Sequence, residues 1–96
     1  MNTYTRAVHD SRIVGIDFTY ARNYPDFAAS PITSAELTQT PTSLTLGIPD
    51  VVSVPNVVSF RISGGEVGVD VIVSITATNA NGDVKCETLK VITEEC

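Results

Sequence analysis

The chain has 96 residues, 43% of them hydrophobic, and eleven acids against six bases give a net charge of −5. That length makes one domain with enough apolar material for its own core. No cluster of Lys and Arg exists to neutralise phosphates, so direct nucleic-acid binding is excluded from the expectations.

Aromatics make up only 6% and Trp is absent, so Val, Ile, Leu and Ala must fill the core. Together with abundant Thr and Ser, the β-branched aliphatics favour strands over helices. Met1–Ser11 is polar throughout, without the apolar centre of a signal peptide, and reads as part of an extended N-terminal arm over residues 1–12. From Val14 the pattern changes. Val14, Ile16, Phe18 and Tyr20 alternate with Gly15, Asp17 and Thr19, the period of a half-buried strand. Asn23, Pro25 and Pro31 then break the chain into a loop that carries Tyr24 and Phe27.

Ile32–Gln39 is a weaker strand with Ala35 and Leu37 on one face, ended by Thr40-Pro41-Thr42. Leu44, Leu46 and Ile48 alternate next, until Pro49-Asp50. Val51–Pro55 is apolar but flanked by prolines, which makes it an edge strand or a connection. Val58, Phe60 and Ile62 form the following strand, and Gly64-Gly65 with Gly68 supply the positive φ of a corner or bulge. Val69, Val71, Val73, Ile75 and Ala77 then give one long apolar face. Asn79-Ala80-Asn81-Gly82 is hairpin chemistry. On the return, Val84 and Cys86 share one parity and Leu89 and Val91 the other. Burying all four requires a bulge near Glu87-Thr88.

These elements predict an all-β fold, an immunoglobulin-like antiparallel β-sandwich of six to seven strands. The expected organisation is an arm at 1–12, the sandwich at 13–93 and a short tail at 94–96. Asp, Pro or Gly interrupts every apolar run, so no transmembrane helix is expected.

Chemistry is hard to find in this pattern. His9 is the only histidine and lies in the polar arm, away from any packed partner that could orient it for catalysis. Asn79-x-Asn81-Gly82-Asp83 echoes the start of a calcium loop, but a strand follows where further carboxylates are needed. Gly64-Gly65-x-x-Gly68 precedes a strand, not the helix N-terminus of a phosphate cradle, and Glu66 would repel phosphate. Asp17, Asp70 and Glu87 are expected on outward faces of strands, which gives no paired carboxylates for acid–base work. Cys86 and Cys96 lack metal-ligand spacing and read as free thiols, with an intermolecular disulfide through Cys96 as the alternative. No enzyme, metal or cofactor is expected. What remains is surface, and the expected protein-interface residues are Tyr4, Arg6, Tyr24, Phe27, Val51, Val52 and Val54. Tyrosine suits interfaces, and Val-rich edges suit strand addition.

One resemblance goes further. Ile16-Asp17-Phe18, the ITSAELT strand, Ser63-Gly64-Gly65, Gly68 opening a Thr- and Val-rich strand, and the Asn81-Gly82 hairpin together resemble a family of small tailed-phage structural proteins. These are immunoglobulin-like fibre–tail adaptors, usually encoded beside head-completion genes, and the similarity covers residues 13–92. The chain departs from the pattern in having Phe18 where Trp is common, aliphatics where Tyr often follows the Gly68 corner, and two cysteines. The resemblance implies a non-enzymatic virion component, made in the bacterial host cytoplasm and present in several symmetric copies at the neck or tail. Its partners would be other virion proteins: a tail fibre, a neck or tail ring, or the capsid. The alternatives are a capsid decoration protein and a soluble ligand-binding β-sandwich module.

Overall fold

The computed structural model describes residues 2–18, 31–54 and 56–95, which form seven strands and no helix. These are β1 (Asn2–Ala7), β2 (Arg12–Asp17), β3 (Ile32–Thr40), β4 (Leu44–Leu46), β5 (Val57–Gly64), β6 (Asp70–Asn79) and β7 (Val84–Glu94). They make two sheets, one ordered β1-β7-β6-β3 and the other β2-β5-β4. With β2, β5 and β4 facing β3, β6 and β7, the connectivity is that of an immunoglobulin sandwich. The first strand has crossed to the edge of the last.

Period-two patterning builds the core. Val58, Phe60 and Ile62 of β5 point inward together, as do Val71, Val73, Ile75 and Ala77 of β6, and all are buried. Ile16, Phe18, Ile32, Leu44, Leu89 and Val91 complete the cluster between the sheets. Burying each large side chain contributes about 1.5–3 kcal/mol, and the β5–β6–β7 segment supplies most of them.

Four expectations need correction. Residues 2–7 are extended, but they lie along β7 as its parallel neighbour, with Tyr4 opposite Val91 and Arg6 opposite Thr93. An arm separate from the sandwich is therefore not what these residues form, and the pairing is not antiparallel throughout. The reason is parity: Tyr4 and Arg6 both turn inward while Thr3 and Thr5 stay exposed.

Second, the β6–β7 ladder runs without a break from Asp70↔Ile92 to Thr78↔Val84, so there is no bulge at Glu87-Thr88. Val84 and Cys86 are simply exposed. Third, Glu87 is on the core-facing parity, with Lys85, because these two oppose Ile75 and Ala77. They form an ion pair at 3.7 Å where β7 extends past the start of β1. Fourth, β4 stops at Leu46, and Ile48 is 93% exposed. Gly47 N donates to Arg61 O at 2.8 Å, and the pairing with β5 resumes only at Asp50, which bridges Ser59, so the register slips by one residue across Gly47–Pro49 and Ile48 turns outward. Tyr20 lies outside the described residues.

One side of the sandwich stays open. β3 and β4 are the outer strands of their sheets, and a groove of about 560 Å³ runs between them over Leu37 and Leu46. Gln39 closes one end: its Nε2 donates to Leu44 O at 2.9 Å and its Oε1 accepts from Leu44 N at 3.0 Å.

Candidate functional site

Arg6 is a buried charged side chain, at 3% exposure, whose Nε has no hydrogen-bond partner while both terminal nitrogens are bonded. Nη1 donates to Gly64 O at 2.6 Å and to Thr93 Oγ1 at 3.3 Å. Nη2 donates to Asp10 O at 2.5 Å and Val8 O at 3.3 Å. Buried charge is costly unless hydrogen-bonded, and here three carbonyls and a hydroxyl surround the guanidinium. The Gly-Gly corner makes this possible. A Cβ at Gly65, whose φ is +91°, would sit 3.2 Å from Arg6 Nη1 and 2.9 Å from Leu44 Cδ2. The corner is therefore the receptor for Arg6, which ties β1, the β1–β2 turn and the end of β5 together. Asp10 tightens the same turn by accepting from Ala7 N at 3.0 Å.

The Asn-rich hairpin is equally occupied with its own backbone. Asn79 is buried, and its Oδ1 accepts from Asn81 N at 3.0 Å and Asp83 N at 2.9 Å. Gly82 takes a φ of +86°, the left-handed conformation that suits glycine. Oxygens that suggest a calcium loop in sequence thus serve the turn. Among the described residues no group of three or more His, Cys, Asp and Glu is placed to hold a metal ion.

The 50–54 segment is a turn organised by Asp50, not a strand. Asp50 Oδ1 accepts from Val52 N at 2.9 Å and Ser53 N at 3.1 Å, and Oδ2 accepts from Ser53 Oγ at 2.5 Å. The Ser53 hydroxyl, aided by the two amides, holds the Asp50 carboxyl below its ordinary range. This geometry turns Val52 outward at 85% exposure, leaves Val54 exposed, and packs Val51 against the core. Beside it, Ile48 and Ile13 flank a shallow depression of about 290 Å³ that also carries Arg61.

The expected interface residues therefore separate. Val52 and Val54 stand on the surface, Val51 is half-buried beneath them, and Tyr4 is half-buried against the core. Arg6 is internal and unavailable to a partner as the structure stands. Tyr24 and Phe27 lie outside the described residues. Ile48 and Ile13 were not anticipated as surface residues: alternation assigns Ile48 inward with Leu44 and Leu46, and Ile13 opens the sandwich just before the alternation read from Val14. The proline and glycine around Ile48 are the signal that the strand has ended before it.

Comparison with known families now decides the relationship. A family model described as podophage GP4 fiber-tail adaptor protein gp77 matches residues 7–92. The chain belongs to this family. Among curated proteins no match is found. The fiber-tail adaptor match begins at Ala7, the last residue of β1, so Tyr4 and Arg6 precede it while Gly64, Gly65 and Thr93 lie within or beside it. The Arg6 clasp thus fastens residues outside the adaptor match onto residues inside it.

Proposed function

We propose that this chain is a non-enzymatic structural part of a podophage virion, joining neighbouring virion proteins at the neck or tail. The observation that carries the reading is the fiber-tail adaptor match across residues 7–92, nearly the whole chain. The structure supports it in kind: the polar groups of Arg6, Asn79 and Asp50 bond the protein's own backbone. Rigid β-sandwiches with apolar surface positions are suited to holding other proteins. The Val52–Val54 turn with Ile48 is the surface assigned to partners, together with Tyr24 and Phe27. Several copies would sit in a symmetric ring, each presenting the same faces. Assembly follows synthesis in the bacterial host cytoplasm. The test is the protein composition of gradient-purified particles. The chain is expected in them at low copy number relative to the major capsid protein. Its absence would overturn the reading, and abundance matching the capsid protein would favour decoration instead.

A further inference from the structure

Among the described residues no strand pairs with the outer edge of β3, a nine-residue strand and the longest edge strand in either sheet. An unpaired edge presents main-chain N–H and C=O groups ready to receive another strand. Most protected edges are short or interrupted by Lys or Pro, whereas ITSAELTQT has neither within it. Next to this edge lies the open side of the sandwich, where Ala35 and Leu37 face Leu46 and Ile48 across the groove of about 560 Å³. Glu36 is the one charged group among the described residues that line it.

We infer that this edge and groove receive an extended segment of a neighbouring virion protein, which adds as a further strand to β3. Such a strand bonds the β3 backbone, and its alternate side chains fall into the groove on Leu37, Leu46 and Ile48. The chemistry required of the segment is alternation of apolar, preferably β-branched, residues with polar ones, and a Lys or Arg opposite Glu36. Charge selects this occupant over a second copy of the chain. A two-fold pairing about the midpoint of β3 sets Glu36 against Glu36 of the other copy, and each copy carries a net charge of −5. The inference rests on the adaptor reading and adds the β3 edge to the surfaces assigned to partners.

The test uses full-length chain carrying a photoreactive benzophenone amino acid at Thr38 on β3, or at Thr5 on β1. Each is supplied in trans to phage lacking the gene, and purified particles are irradiated. The expected result is a Thr38 cross-link into a different virion polypeptide, at a peptide with the stated alternation. Glu36→Lys, an exposed change that spares the core, should lower that product about fivefold. A Thr38 product containing only this chain would identify a second copy as occupant and overturn the inference. So would a foreign cross-link from Thr5 alone, or no Thr38 product in particles that contain the chain. Absence of the chain from particles would instead overturn the adaptor reading itself.

Discussion

Arg6 Nη1 donates to Gly64 O across 58 positions of sequence, at 2.6 Å. The two residues come from opposite sheets, and the bond closes the end of the sandwich where β1, β5 and β7 converge. Charge-assisted hydrogen bonds of this kind are stronger than neutral ones, about 1.5–3 kcal/mol each in favourable cases. Arg6→Ala should therefore destabilise the chain by about 2–3 kcal/mol, because carbonyls are left buried as packing is lost. Urea unfolding measures this directly, and a change below about 0.5 kcal/mol would mean the clasp is solvated in solution.

Removing β1 tests the same architecture on a larger scale. The sequence pattern suggests that residues 1–12 could be deleted with the domain still folded, but β1 covers the edge of β7 and Tyr4 packs on the core. A chain starting at Ser11 should melt well below the full-length protein or associate through its bared β7 edge. Thermal unfolding combined with size-exclusion chromatography checks both outcomes. Unchanged melting of a monomer would restore the arm interpretation.

The Gly-Gly corner offers a controlled pair of substitutions. Gly65 and Gly68 both have positive φ, +91° and +81°, but only a Cβ at Gly65 meets neighbours within 4 Å. Gly68→Ala should cost about 1 kcal/mol of backbone strain. Gly65→Ala should cost at least about 1 kcal/mol more, since Leu44 and the Arg6 guanidinium must both yield. Equal costs would show that the corner does not seat Arg6.

Much of this molecule is legible in sequence, and the failures share a cause. Val58–Ile62 and Val71–Ala77 alternate cleanly because both strands lie inside their sheets with one face on the core. β1 escapes detection because the residue sharing Tyr4's inward parity is Arg6, and a charged side chain is ordinarily read as solvated. The imagined bulge on β7 arises from the opposite error. Val84 and Cys86 are taken as buried because they are apolar, whereas the core-facing positions hold Lys85 and Glu87 as an ion pair. At the candidate surfaces, the outward turn of Val52 depends on Asp50 bonding Ser53, a local contact that alternation does not report.

Asn79 gives a local prediction. Asn79→Ala removes the acceptor for two part-buried amide bonds and should cost about 1–3 kcal/mol. Faster hydrogen exchange at Asn81 and Asp83 should accompany the loss, with exchange at the far end of the β6–β7 ladder changing only as global stability does. Unaltered exchange at both amides would assign the turn to backbone geometry alone.

The Asp50 turn should respond to acid. Because its carboxyl titrates below the ordinary range in the folded chain, its contribution is present above that range and fades as pH falls through the lowered value. The Val52–Ser53 turn should thus stay ordered at neutral pH and loosen only in acid, below the ordinary carboxylate range. Amide chemical shifts of Val52 and Ser53 followed on acidification report this, and Asp50→Ala should abolish the transition. A transition near neutral pH would contradict the assigned bonds.

The proposed role of this sandwich is that of a fiber-tail adaptor inside the particle. A reconstruction of the intact phage tests it most directly. The predicted result is density for a domain with sheets β1-β7-β6-β3 and β2-β5-β4, seated between neck or tail proteins and the fibre, with a neighbour's strand along β3. Density for this chain on the capsid lattice, or none anywhere in the particle, would contradict it.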